Sequence, residues 1–377
     1  VILTIYIDWF LPAYKAGGPV QTVANLVAQP LEGLRYRVIT SNREWDGALI
    51  NVPADQWLSF NSWTEVYYAS RGLSTELLGA EGDTLYLNGM YSWQFVLKPL
   101  LFSKAHRKVL SPKGMLHAGA LSQKALKKKL YLQVWKWAGL HRRVVFHATD
   151  SAEEAAIKKV FGNRVTVLVA PNLPKKMTAQ PLWPKREGGL VLLTIALVSP
   201  MKNILPVLQA LAGLEQAITY HIYGPVIDRA YWQQCQKGIA ALPANIQVIY
   251  HGHIPPAQVE QTLQKAHVFI MPSKSENFGH ALCEALLAGR PVITSHATPW
   301  NGLKEAGAGI NLDPGDGAAI KAAIRFFAGM ESEELQAWSA AARSYAERRT
   351  DQETVREQYR RVFGLIETAA PAELEAK

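Results

Sequence analysis

Cysteine is nearly absent, with only Cys235 and Cys283 in 377 residues. They stand far apart, each inside an apolar stretch, which excludes a disulfide framework and the paired spacing of a structural zinc site. Both are expected to be buried packing residues in a protein of a reducing compartment. Long apolar runs are missing as well: no stretch reaches about 18 uninterrupted apolar residues, the minimum for a spanning helix. The apolar start, Val1–Leu11, is interrupted by Asp8 and has no basic residues before it. A cytoplasmic protein without a signal peptide or transmembrane helix is expected. The ten histidines show no metal-ligand spacing, so no metal site is expected; no bound cofactor is expected either.

Acidic residues are missing from one long stretch. None occurs between Asp83 and Asp150, while twelve lysines and arginines do. Residues 1–150 hold 17 Lys+Arg against 10 Asp+Glu, so +7 of the net charge of +9 lies there. A one-signed field of this kind attracts anionic partners. Its densest part, Leu121–Arg143, combines Lys127, Lys128 and Lys129 with Trp135 and Trp137. Two readings stand open. One is a helix lying on an anionic membrane surface; the other is a solvated charged face with its tryptophans in the core. No recognition motif accompanies the charge, so nucleic acid is not expected as a partner.

What is present is a repeated alternation of strand and helix. Apolar, β-branched runs at Ile2–Ile7, Arg37–Thr40, Val66–Ala69, Leu85–Leu87, Val109–Ser111, Val144–His147 and Val165–Val169 read as strands. Helical patterns fall near 19–29, 91–103, 121–140 and 151–161. The tryptophan-rich segment Glu44–Ser62 shows no periodicity. A Pro- and Gly-rich stretch then breaks the pattern, placing a linker at 173–189. Beyond it come strands Leu190–Ala196, Ile218–Tyr223, Ile246–Tyr250, His267–Met271 and Pro291–Thr294. The intervening helices are predicted at Ile204–Leu214, Asp228–Leu242, Pro256–Ala266 and Gly279–Ala288, with more at 316–328, 331–348 and 350–368. Asp313–Asp316 reads as a turn. The whole is an α/β protein of two Rossmann-like, doubly wound parallel-sheet domains, 1–172 and 190–349, and such sheets bind ligands beyond the carboxyl ends of their strands.

The richest segment runs from Met271 to Pro291. A buried strand ends, a polar loop follows, and a helix opens near Gly279 and stops at Gly289-Arg290-Pro291. A helix N-terminus here suits an anionic ligand. Glu276 precedes the helix and Glu284 lies about two turns in. Their separation, about 12 Å at most, would let two carboxylates grip hydroxyl groups at opposite ends of an extended ligand with phosphates between.

In these residues the sequence resembles glycosyltransferase family 4, a GT-B fold family with two domains facing an inter-domain cleft. The match lies in Ser275-Glu276-Asn277-Phe278-Gly279, Cys283-Glu284-Ala285 and Gly289-Arg290-Pro291-Val292. The resemblance implies that Glu276 and the backbone of Asn277, Phe278 and Gly279 contact a donor sugar and its diphosphate, and that Glu284 holds the ribose. Ser199-Pro200-Met201-Lys202-Asn203 matches further, with Lys202 facing the leaving diphosphate. His221-Ile222-Tyr223-Gly224-Pro225 places Gly224 close to the donor, and Tyr250–Ile254 resembles the family's nucleobase pocket, which brings in Ile254. Ser295–Trp300 resembles bacterial members that build polysaccharides. In the first domain, Gly17 and Gly18 stand in the family's Gly-rich loop. Neither a G-x-G-x-x-G at that loop nor a G-x-x-x-x-G-K-[ST] occurs, which argues against a dinucleotide oxidoreductase.

Two departures are visible. The family usually carries an arginine five residues before the motif lysine, where this chain has Leu197. Where many members carry an active-site histidine, this chain reads Ser111-Pro112-Lys113, and Asn88-Gly89 stands where some relatives have His-Gly. Lys113 and Asn88 are therefore candidate substrate contacts. The resemblance implies a retaining, metal-independent transferase. It would move sugar from a UDP- or GDP-linked donor in the second domain to a glycan or lipid-linked acceptor held by the first. The last helix would pack back on the first domain, with the protein cytoplasmic or peripheral at the inner membrane face. Alternatives are a sugar-nucleotide-binding protein without turnover, suggested by Leu197, and a sugar-nucleotide epimerase.

Overall fold

The computed structural model describes residues 1–122, 124–178 and 189–366. The chain divides into two compact units, Val1–Leu173 with Gln352–Lys377, and Pro174–Asp351. Of the stretch 173–189 read as a linker, 179–188 lie outside the described residues.

The first unit is built on eight strands, β1 (Ile2–Tyr6), β2 (Arg35–Ser41), β3 (Trp57–Asn61), β4 (Thr64–Ala69), β5 (Thr84–Asn88), β6 (Arg107–Ser111), β7 (Val145–Ala148) and β8 (Val167–Val169). Their order is β3-β4-β2-β1-β5-β6-β7-β8. All pairs are parallel except β3 with β4. Parallel neighbours need crossovers, and the α-helices lying between these strands or following them in this part of the chain are α1 (Gly18–Val27), α2 (Lys98–Phe102), α3 (Ala118–Ser122), α4 (Ala125–Trp137) and α5 (Ser151–Phe161).

Sheets of this kind are covered on both faces, so their strands read as near-continuous apolar runs. Along β1 the side chains alternate between two cores. Leu3 and Ile5 meet α1 and the last helix, Gln352–Val362, through Val355, Tyr359 and Val362. Tyr6 faces the other core, with Leu85, Leu87, Phe146, Ile157 and Trp135. The last helix is thus part of the first unit. Arg107 Nε fastens it by donating to the Val362 carbonyl at 3.0 Å.

One open segment is settled and two local expectations change. The segment without periodicity contains β3, an edge strand largely open to solvent, and an exposed edge carries no inside–outside alternation to detect. The helix expected over 121–140 is divided into α3 and α4, with Lys124 left-handed between them (φ 53°). The one expected over 91–103 begins as a π-helical turn, Trp93–Leu97, before α2, where Pro99 has no N–H to offer the preceding turn.

The second unit holds β9 (Gly189–Ile195), β10 (Ala217–Tyr223), β11 (Ile246–Tyr250), β12 (Val268–Met271), β13 (Val292–Ser295) and β14 (Gly309–Leu312). Their order is β11-β10-β9-β12-β13-β14, all parallel. Its helices are α6 (Ile204–Leu211), α7 (Arg229–Ala240), α8 (Val259–Gln264), α9 (His280–Leu287), α10 (Gly317–Gly329) and α11 (Ser332–Arg349). Asp228 and Asp316 cap α7 and α10 by accepting from the Tyr231 and Ala319 N–H groups, each at 2.9 Å. Asp313 and Asp316 form the expected turn, with Gly315 N–H donating to Asp313 at 2.8 Å. Both cysteines are buried and unpaired with each other. Among the described residues, no helix is long and apolar enough to cross a membrane.

Candidate active site

A doubly wound sheet has one position where the chain reverses its direction of strand addition, and the crevice beyond the strand ends there is where ligands bind. In the second unit the chain adds β10 and β11 on one side of β9, then crosses to add β12 on the other. The two segments that leave the ends of β9 and β12 are those carrying Lys202 and Glu276.

The structure brings these two side chains together. Lys202 ends a 3-10 turn, Pro200–Lys202, and Asn203 takes a left-handed conformation (φ 61°) to start α6. The Asn203 amide holds that bend by donating to the Pro314 carbonyl at 2.6 Å. Lys202 Nζ then reaches Glu276 Oε1 at 2.5 Å, with the side chains only 20% and 11% exposed. The loop bearing Glu276 is pinned along its length. Lys274 N–H donates to the Met201 carbonyl (2.9 Å), Glu276 N–H to that of Ala297 (3.2 Å), and the Trp300 indole to that of Phe278 (2.6 Å). Ser295 Oγ donates to the Ser273 carbonyl. Trp300, reached in the sequence only through a weak local likeness, is a structural brace of this loop.

Gly279 (φ 74°) turns the loop into α9, where Phe278 packs edge-on against Trp300. Asn277 and Phe278 lie immediately before that helix start, whose N–H groups lack intrahelical acceptors and carry partial positive charge. Glu284, inside α9, is buried at 8% exposure. Burial pushes its carboxyl up to about 7, against a downward pull from Lys175.

Gly224 has a reason of its own. With φ 136°, a Cβ there would lie 1.8 Å from the Ala196 carbonyl oxygen, so the neighbouring backbone alone demands glycine. Its N–H donates to the Gly252 carbonyl (2.6 Å) and its carbonyl accepts from the Tyr250 hydroxyl (2.9 Å). These bonds hold the Tyr250–Ile254 segment to the end of β10. Within that segment His251 stacks on Tyr223, with centroids 4.2 Å apart, and Ile254 is buried in the core with Leu193 and Leu282.

The first unit repeats the topology. Its reversal lies at β1 and β5, and Gly17, Gly18 and Asn88 stand at those two strand ends. Gly17 (φ 76°, ψ −130°) precedes α1 in a conformation that only glycine adopts readily. Asn88 is buried; its amide donates to the Tyr6 and Tyr86 carbonyls, each at 3.3 Å, and its Oδ1 has no partner among the described residues. Lys113 follows β6 instead, and its ammonium is drawn into the unit. It donates to the Tyr86 hydroxyl at 3.0 Å, which in turn lies 2.8 Å from His147 Nδ1, while His147 Nε2 is 2.8 Å from the Ala170 carbonyl. Burial lowers Lys113 to about 8, with Glu153 opposing, and lowers His147 to about 3, with Lys113 adding to the effect. The histidine is neutral.

One residue near this loop escaped the sequence. Glu44 is buried at the base of a small hairpin and accepts from the backbone N–H groups of Tyr14 (2.9 Å) and Lys15 (3.3 Å) as well as Trp45 (3.1 Å). Lys15 also pairs with Asp46 at 2.9 Å. The glycine-rich loop is thereby clamped from a segment thirty residues away. A lone glutamate in an aperiodic stretch gives no spacing signal for this.

Residues 177–345 match the family described as glycosyl transferases group 1. The chain is 32% identical over 140 residues to the O-antigen chain mannosyltransferase B of Escherichia coli, covering 35% of each chain. To the phosphatidyl-myo-inositol mannosyltransferase of Mycobacterium leprae (strain TN) it is 27% identical over 186 residues, covering 49% of this chain and 48% of that one. The matches thus span between about a third and about half of these relatives' length. Among solved structures, HepE of Anabaena in complex with UDP-glucose superposes with a TM-score of 0.67 at 16% identity, covering 97% of this chain and 99% of that one. Residues 177–345 thus resemble the group 1 glycosyl transferases, within a chain of GT-B fold.

Proposed function

We propose that this protein is a retaining glycosyltransferase that moves a hexosyl group from a UDP- or GDP-linked donor to a glycan or lipid-linked glycan, in bacterial surface polysaccharide synthesis. The observation that carries the reading is the convergence of Lys202 and Glu276 at the reversal point of a group 1 domain, beside the start of α9. An acceptor hydroxyl attacks the anomeric carbon as the bond to the diphosphate oxygen breaks, and the hydroxyl proton passes to the departing diphosphate. Negative charge grows on that oxygen, and Lys202 with the α9 N-terminus is fixed in advance to receive it, the arrangement in which electrostatic stabilisation is most effective. No metal enters the scheme.

The buried Glu284 carboxyl accepts no hydrogen bond from a described residue, which suits a ribose hydroxyl as its partner. The first unit takes the acceptor. Its excess positive charge favours an anionic or lipid-linked glycan at the inner face of the cell membrane. The names of the two curated relatives, both mannosyltransferases, agree with a hexosyl donor.

A panel of UDP-, GDP- and ADP-sugars, read by thermal stabilisation, identifies the donor, since a ligand of the folded state raises apparent stability. Nucleotide diphosphate release then tests turnover. Lys202→Ala is expected to lower kcat by roughly 10²–10³-fold, and Glu276→Ala to abolish transfer with the fold intact. Unchanged turnover in either removes that residue from the chemistry. Leu197, in place of the second cation, favours one rival: a protein that binds donor but never releases diphosphate. Rearrangement of donor without any acceptor would mark an epimerase.

A further inference from the structure

We infer that α4 docks the protein on an anionic bilayer through its outer face. The helix has two apolar sides. Leu132 and Trp135 face inward and are buried, and Tyr131 packs beside them, donating to the Met90 carbonyl at 2.5 Å. The second side faces solvent. Leu126, Leu130, Val134 and Trp137 are 82%, 67%, 50% and 87% exposed. Their spacing of four, four and three residues stacks them in one stripe on a helix of about 3.6 residues per turn. A surface helix of a globular protein normally turns its polar side outward, so this stripe needs an occupant.

The charges beside it say which. By the same helical geometry Lys127 borders the stripe on one side, and Lys129 and Lys136 border it on the other. No acidic residue lies anywhere between Asp83 and Asp150 to offset them. An apolar strip framed by lysines, ending in a tryptophan, is the pattern of a helix lying in the headgroup boundary of an anionic leaflet. A second copy of the chain fits poorly, because a two-fold contact through this face would set the same lysines against each other. The two readings of Leu121–Arg143 are thereby divided between its tryptophans: Trp135 is core and Trp137 is surface.

The inference deepens the membrane-side placement proposed above, and its test needs neither donor nor acceptor. The full chain is sedimented with vesicles of phosphatidylcholine alone or mixed with phosphatidylglycerol. Binding is expected only to the mixture and is expected to weaken with salt. Lys127→Gln, Lys129→Gln and Lys136→Gln each cost about fivefold in partitioning, and Leu126→Ser with Leu130→Ser abolishes it, with melting temperature and donor stabilisation unchanged. Equal binding to both vesicles, or variants that bind like the wild type, overturns the role of α4. Absence of any vesicle binding overturns the docking while leaving donor chemistry to its own assay. A wild-type dimer in light scattering that the serine variant converts to monomer would give the stripe to a second copy instead.

Discussion

Glu284 carries a measurable cost of its position. Its carboxyl is buried and raised to about 7, so between the ordinary carboxylate range and that value the folded state holds a proton that the unfolded chain has lost. Stability from this group is complete at low pH and falls as pH rises through that window. Glu284→Gln, which is neutral throughout, should therefore melt higher than the wild type at pH 8, by something on the order of 1–3 kcal/mol, and by little or nothing at pH 4. Thermal scans at the two pH values check the sign. If the carboxylate grips ribose hydroxyls, donor affinity moves the other way and strengthens above pH 7 in the wild type. Evolution of a better-packed neutral side chain here would trade binding for stability.

Among the elements, the glycine-rich loop before α1 depends on a clamp that lies outside it. Removing the Glu44 carboxylate strands the Tyr14 and Lys15 N–H groups, and an orphaned buried donor costs roughly 1–3 kcal/mol. Glu44→Ala is expected to speed amide hydrogen exchange at these two residues, and Glu44→Gln, which keeps one acceptor oxygen, to do so less. Unaltered exchange in both variants would show that the loop holds its shape alone. This clamp marks where sequence reading ran out. β1, β5, β9 and β12 were legible because burial on both faces leaves mostly apolar residues, and the segment from Met271 to Pro291 was legible because strand end, polar loop and helix start follow one another locally. β3 was not: it is an edge strand exposed at Trp57, Ser59 and Phe60, and a register shift against β4 between Ser59 and Asn61 breaks its alternation. β14 was not either, since it opens on Gly309, which is present because a Cβ would sit 2.1 Å from the Val292 carbonyl oxygen. The spatial meeting of Lys202 with Glu276 needed topology, because 74 residues separate them. Resemblance named the pair; the reversal of strand order explains why they meet.

For the molecule as a whole, the first unit is discontinuous. Val355, Tyr359, Val362 and Phe363 are buried in its core, each worth roughly 1.5–3 kcal/mol when withdrawn from water. Together they rival the net stability of an ordinary domain, about 5–15 kcal/mol. A chain ending at Asp351 is expected to keep a folded second unit while the first loses its cooperative melt. Limited proteolysis should then leave a fragment beginning near Pro174; an intact first unit after truncation would show that the last helix is dispensable. The arrangement also fixes a timetable during translation. The residues made first have a sheet whose covering helix is among those made late, whereas the stretch between them is self-sufficient once its own strands emerge. Maturation of the two halves therefore runs opposite to their order of synthesis, and a nascent chain stalled after the second unit would present an open aromatic-hungry sheet face to chaperones.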